Sequence, residues 1–380
     1  MSKLLRVTVL LLWALAVSAC SSFPKYPVNV VFIEEPIKTT VDSEIAQYYL
    51  TDYLQGNKSR PETDNEIDNL YEQQTSKLPD RSFLERLSKE YSTDFAALFL
   101  ADRIWNIGPN RKLQRAFHQK LSLPRSQLYQ KPETRDEYII LLIPGWNYVA
   151  NGKITGSDFS SPRKLIDDLG IENHLVRVPT TGSVFQSAEV IVESILRFSQ
   201  DGRKIIVVGA SAAGPAIHYT LGKRLSPQQL GSVVAWINLG GILQGSPLID
   251  YFQNWPQKIL LNLAIWIRGW DNEEILTMSA EQSRRRIKTL ALPPNLLVIN
   301  YLGLSLTGDL SHLSRYKYPI IKSQGPNDGL TPLIDIIAPD SRTLIATASD
   351  HYFGQDPRIN DKTIAVLKMV MELTQSKILP

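Results

Sequence analysis

A serine hydroxyl becomes a useful nucleophile only when an imidazole beside it can take its proton and a carboxylate fixes that imidazole. One serine of this 380-residue chain is placed for such work: Ser211, within KIIVVGASAAG at residues 204–214. The β-branched run from Lys204 to Val208 predicts a fully buried strand, and Ala, Ile and Leu then recur at helical spacing between Ala212 and Lys223. Ser211 stands in the turn between them. Gly209 and Ala210 precede it and Ala212, Ala213 and Gly214 follow, all small enough for a sharp, strained turn. The pattern proposes Ser211 as a nucleophile.

This strand, turn and helix resemble the nucleophile elbow of α/β-hydrolases, with Ala213 in place of the last glycine of the usual Gly-x-Ser-x-Gly. The resemblance implies the α/β-hydrolase fold, a mostly parallel sheet flanked by helices, and triad partners in the order serine, acid, histidine. Among five histidines, His118 and His174 precede the serine. His218 lies seven residues into the following helix, roughly 10 Å along its axis, too far for a hydrogen bond. His312 has no strand leading into it. His351, in Ser-Asp-His-Tyr-Phe-Gly after a predicted last strand at 343–347, is where the family's histidine sits. The turn-rich Gly-Pro-Asn-Asp-Gly-Leu-Thr-Pro at 325–332 resembles the Asn-Asp-Gly-Leu-Val loop of bacterial lipases, which assigns the acid to Asp328. Asp350 adjoins His351 and its side chain points away; Asp309 and Asp356 stay as alternatives.

A tetrahedral oxyanion needs two backbone N–H groups fixed in advance. By the same resemblance Ala212 supplies one, and Trp146 the other, from Pro-Gly-Trp-Asn at 144–147, which is similar to the family's His-Gly-x oxyanion loop with proline for histidine. The segment 238–250 partly resembles a Gly-Thr-Pro-His-x-Gly-Ser stretch of lipases, without its Thr-Pro-His. Its glycines make no phosphate loop, because Ser246 follows Gly245 where lysine is required. No histidine pair or cysteine cluster has metal-ligand spacing, and the chemistry calls for no cofactor.

From residue 138 onward apolar strands (138–143, 174–178, 204–208, 232–238, 296–302, 343–347) alternate with helices (160–169, 184–200, 212–223, 361–375), the mark of a parallel sheet covered by helices. The catalytic domain is set at 132–380. Residues 248–292 interrupt the alternation as a cap or lid, and its run ILLNLAIWI at 259–267 predicts a packing helix, a substrate-facing lid or a membrane-touching one. Residues 20–131 read as a mostly helical N-terminal region, with helical stretches near 43–54, 65–74, 81–91 and 93–105, one strand at 28–33 and a loop at 55–64.

With 43% hydrophobic and 21% charged residues and a net charge of +3, the composition is that of a globular enzyme and shows no nucleic-acid footprint. Arg284, Arg285 and Arg286 read as a solvated helix face. Lys3 and Arg6, the apolar run 7–17 and Val-Ser-Ala-Cys at 17–20 predict a secretion signal over residues 1–19, too short to span a bilayer. The ending resembles a bacterial lipobox, which implies that Cys20, the single cysteine, carries diacylglycerol. Ser21 after it implies export to the outer membrane. These features together predict an envelope-anchored serine hydrolase of carboxylic esters, lipase- or esterase-like, with an acyl ester as substrate. The same fold would also serve a thioesterase, an acyltransferase or an inactive binding module.

Overall fold

In the computed structural model, which describes residues 25–74 and 77–375, the predicted strands form a six-stranded parallel sheet. In chain order they are β3 (Tyr138–Ile143), β4 (Glu172–Leu175), β5 (Lys204–Ala210), β6 (Val233–Leu239), β7 (Leu297–Leu304) and β8 (Arg342–Thr347), laid side by side as β4-β3-β5-β6-β7-β8. All six side chains of β3 are buried, as a strand with helices on both faces requires. Its alternate residues part cleanly: Tyr138, Ile140 and Leu142 pack under the helices Gly108–Leu121 and Ile359–Gln375, and Ile139, Leu141 and Ile143 under Val184–Ser199 and Ala213–Tyr219. Strand order reverses at β3, so the loops leaving β3 and β5 diverge and open a crevice at their carboxyl ends. Ser211 follows β5, and Trp146 follows β3.

The N-terminal region holds more strand than its sequence predicts. β1 (Tyr26–Phe32) pairs antiparallel with β2 (Glu35–Val41) across a tight turn in which Ile33 and Glu34 both have positive φ. Pro36 and the buried Glu35 interrupt the apolar alternation of β2, and the turn lacks the Asn or Gly that signals a hairpin. Helix Thr93–Trp105, buried nearly all round, joins this hairpin in one apolar cluster with Leu302, Leu304 and Ile345 of the sheet.

The region also seals a sheet edge. β8 is the last strand, and its outward N–H and C=O groups would template unwanted pairing if left open. Gln114 instead accepts from Ile345 N and donates to Ile345 O, each at 2.9 Å, and Asn110 accepts from Thr343 N at 3.0 Å. Two amide side chains of one helix thus stand in for a seventh strand.

The arginine triplet is not a solvated face. Arg284 reaches to 3.6 Å from the fully buried Asp335, which is also paired with Arg81, and Arg286 donates to Thr277 O at 2.8 Å from a largely buried position. Only Arg285 is fully in solvent, beside Glu281 one turn away. A buried carboxylate needs cations, and that demand outranks the polar pattern of an isolated helix.

Candidate active site

The elbow is built by close approach. A Cβ on Gly209 would stand 2.1 Å from Ile217 Cδ1, so only glycine lets the helix Ala213–Tyr219 fold back on β5. The turn that results holds Ser211 at φ +54°, a left-handed conformation that lifts its side chain clear of strand and helix. Ser211 N donates to Leu239 O at 3.0 Å, and Ser211 O accepts from Gly214 N at 3.0 Å and Ile242 N at 3.2 Å. Ala213, at the irregular last position of the motif, is buried in the core with its small side chain accommodated.

His351 Nε2 lies 2.9 Å from Ser211 Oγ, and His351 Nδ1 lies 2.7 Å from Asp328 Oδ2. An ionised carboxylate only accepts hydrogen bonds, so the proton of a neutral imidazole sits on Nδ1 and the Nε2 lone pair faces the serine. Asp328 is 1% exposed, and its other oxygen accepts from Leu330 N and Thr331 N, both at 2.9 Å. His351 N donates to Asp328 O at 3.0 Å, which ties the two loops together. The arrangement can deprotonate a serine and hold the resulting imidazolium.

The alternative acids stand elsewhere. Asp356 is 2.7 Å from Lys362, and Asp309 lies against Thr39 of the N-terminal hairpin. Asp350 accepts from Ser311 N and Tyr352 N, each at 2.8 Å. His218 is buried on the helix behind the elbow, stacked on Trp236, and desolvation lowers its pKa to about 4.

Trp146 and Ala212 both border the cleft that contains Ser211. Among the described residues, neither backbone N–H donates to a protein acceptor. A Cβ on Gly145 would sit 3.5 Å from Ser211 Cβ, so the loop after β3 lies directly against the elbow. The two free donors and the serine share one crevice.

The cleft has a volume of about 630 Å³, and Leu248, Leu261, Trp270 and Met278 of the segment 248–292 give it an apolar wall. Trp270 meets Trp146 edge to face at 4.6 Å. The helix Gln257–Arg268 has no buried residue, so it is not a packing helix of the core. Leu261 lines the cleft, while Trp266 (80% exposed), Ile259, Leu263 and Ile267, with Trp255 (81%) just before the helix, face outward. Phe159, Phe353 and Leu239 line both the cleft and a second, mostly apolar cavity of about 80 Å³ against the sheet. No group of metal-ligating side chains occurs among the described residues. Nor is any described helix long and apolar enough to cross a membrane. Cys20, the predicted lipidation residue, and the predicted signal lie outside the described residues.

Sequence reasoning passed over Lys317 and Tyr352, which also line the cleft. Tyr352 adjoins His351 in the chain, whereas Lys317 lies in a loop with no motif.

The sequence matches no protein-family model and no curated protein. Solved structures do resemble it. A metagenomic carboxyl esterase superposes with a TM-score of 0.51 at 17% identity, over 64% of this chain and 76% of its own. A Bacillus licheniformis lipase in its mature form superposes with a TM-score of 0.48 at 18% identity, over 64% of this chain and 94% of its own.

Proposed function

Because the chain has the α/β-hydrolase fold, we propose that it is a serine hydrolase of carboxylic esters working through Ser211, His351 and Asp328. One observation carries the proposal: the unbroken hydrogen-bond chain from Asp328 through His351 to a strained Ser211 that opens on an apolar cleft. Ser211 Oγ attacks the ester carbonyl carbon while His351 Nε2 takes its proton. The carbonyl oxygen becomes an oxyanion held by the N–H groups of Ala212 and Trp146. Collapse breaks the bond to the alcohol, which leaves with the proton from His351, and Ser211 is left acylated. Water, deprotonated by His351, attacks the acyl carbon; the acid departs and Oγ regains its proton. Asp328 stays ionised and stabilises the imidazolium at each step.

The apolar lid wall and the cavity beyond Phe159 and Phe353 support an aliphatic acyl group in the substrate. The apolar outer face of Gln257–Arg268, flanked by Lys258 and Arg268, together with the lipobox-like ending at Cys20, supports attachment to a bacterial envelope membrane, the outer membrane by Ser21. Intact-mass measurement of the membrane-extracted protein tests that attachment; an N-terminus without acyl groups refutes it. A fluorophosphonate probe tests the enzyme: the folded protein is expected to gain one adduct on Ser211, and none on Ser211→Ala. Failure of the folded wild-type protein to label would leave the binding-module reading standing.

A further inference from the structure

Lys317 is unexplained by the hydrolysis just described. Its side chain lines the same cleft as Ser211 and His351, and it is half-buried. Its Nζ donates to Tyr352 Oη, sits 4.7 Å from the Tyr352 ring centroid and 5.3 Å from that of Tyr316, and forms no ion pair among the described residues. The nearby carboxylates are committed elsewhere: Asp350 to two backbone N–H groups, Asp328 to His351, Leu330 N and Thr331 N. The other charged groups on the cleft are Lys153 and Asp158, and Asp158 accepts from Ser160 N at 3.1 Å. Desolvation lowers the Lys317 pKa, and Asp350 and Asp328 only partly restore it.

A cation drawn into an apolar cleft without a counter-ion costs free energy that a bound anion would return. Tyr352 is nearly buried, and burial raises its pKa, so it stays a neutral phenol. With its oxygen accepting from Lys317, the phenol keeps its own hydrogen to donate. An ammonium and a hydroxyl side by side offer a point charge and a directed donor, which the several accepting oxygens of a phosphate can take together. The loop is anchored, with Lys317 N donating to Ser314 O at 2.9 Å and Tyr318 fully buried beside it.

Building on the ester-hydrolase reading, we propose that Lys317 and Tyr352 form a phosphate subsite, and that the preferred substrate is an acyl ester whose alcohol portion carries an anionic phosphodiester. The test compares kcat/KM in detergent micelles for 1-palmitoyl lysophosphatidylglycerol and 1-palmitoyl monoacylglycerol, which share an acyl chain and differ in the phosphate. Wild type is expected to prefer the phosphate-bearing ester. Lys317→Met is expected to cut that preference about 10-fold or more, the effect of one charge-assisted hydrogen bond, while Lys317→Arg retains most of it. An unchanged preference, or equal losses on both esters, overturns the subsite while leaving the hydrolase reading intact. Cleavage of neither ester by wild type, with Ser211 unlabelled by fluorophosphonate, overturns both.

Discussion

Asparagine at position 328 provides the sharpest test of how the acid works. Asp328 Oδ1 accepts from Leu330 N and Thr331 N, and Oδ2 faces His351 Nδ1. In Asp328→Asn those two N–H donors hold the amide oxygen at the Oδ1 position. The NH2 group is thereby forced toward His351 Nδ1, which must become an acceptor and move its hydrogen to Nε2. The lone pair that would take the Ser211 proton is gone, although every heavy atom stays in place. A wrong tautomer of this kind costs about four orders of magnitude in kcat, or about 5 kcal/mol of transition-state stabilisation. The assay is kcat/KM on a short chromogenic ester, with the thermal midpoint as a folding control. That midpoint is expected to stay within a few degrees of wild type, since the backbone N–H groups keep their acceptor. Turnover within about 10-fold of wild type in a folded variant would refute the assignment and with it the tautomer argument.

Two further outcomes concern stability. Gln114→Leu leaves the buried Ile345 N–H and C=O without partners, and at about 1–3 kcal/mol for each orphaned group the unfolding free energy is expected to fall by about 2–6 kcal/mol; a denaturant midpoint equal to wild type would show that the edge needs no sealing. Burial of Asp309 raises its pKa to about 6, so between pH 4 and 6 the folded state binds a proton that the unfolded chain has released. Stability therefore falls as pH rises through that window, by at most about 3 kcal/mol, and is level above it. Asp309→Asn is expected to flatten this part of the stability–pH curve and raise the thermal midpoint at pH 7; a curve parallel to wild type would sink the reasoning.

Much of the half that carries the parallel sheet is legible locally. β3, β5 and β7 are nearly continuous apolar runs because helices cover both faces, and a strand buried on both sides advertises itself without reference to its neighbours. The elbow is legible for a similar reason: Gly209 answers a steric demand made by Ile217, eight residues further on in the same strand-turn-helix unit. The second strand at 172–175 falls slightly ahead of the apolar residues 174–178 that mark it, because β4 is an edge strand and half exposed. β2 escapes notice because its hydrogen bonds fall to an edge carrying Pro36, and the buried Glu35 answers to Lys362 and Thr347 more than 300 residues away.

What the sequence determines by itself is thus the set of parts: a strained serine after a buried strand, a late histidine, several carboxylates and a parallel α/β pattern, each dictated by contacts within about a dozen residues. The resemblance of 325–332 to a lipase loop points to Asp328, but Asp328, Asp309 and Asp356 all lie in turns, and the contact of Asp328 with His351 is made by tertiary structure. The same holds for the N-terminal helix that closes the sheet edge across 231 residues, for Arg284 turned from solvent to Asp335, and for Lys317 brought to Tyr352. Burial of a polar group has to be repaid by a partner, and the partner's position along the chain is free, so such pairs leave no period or spacing to read.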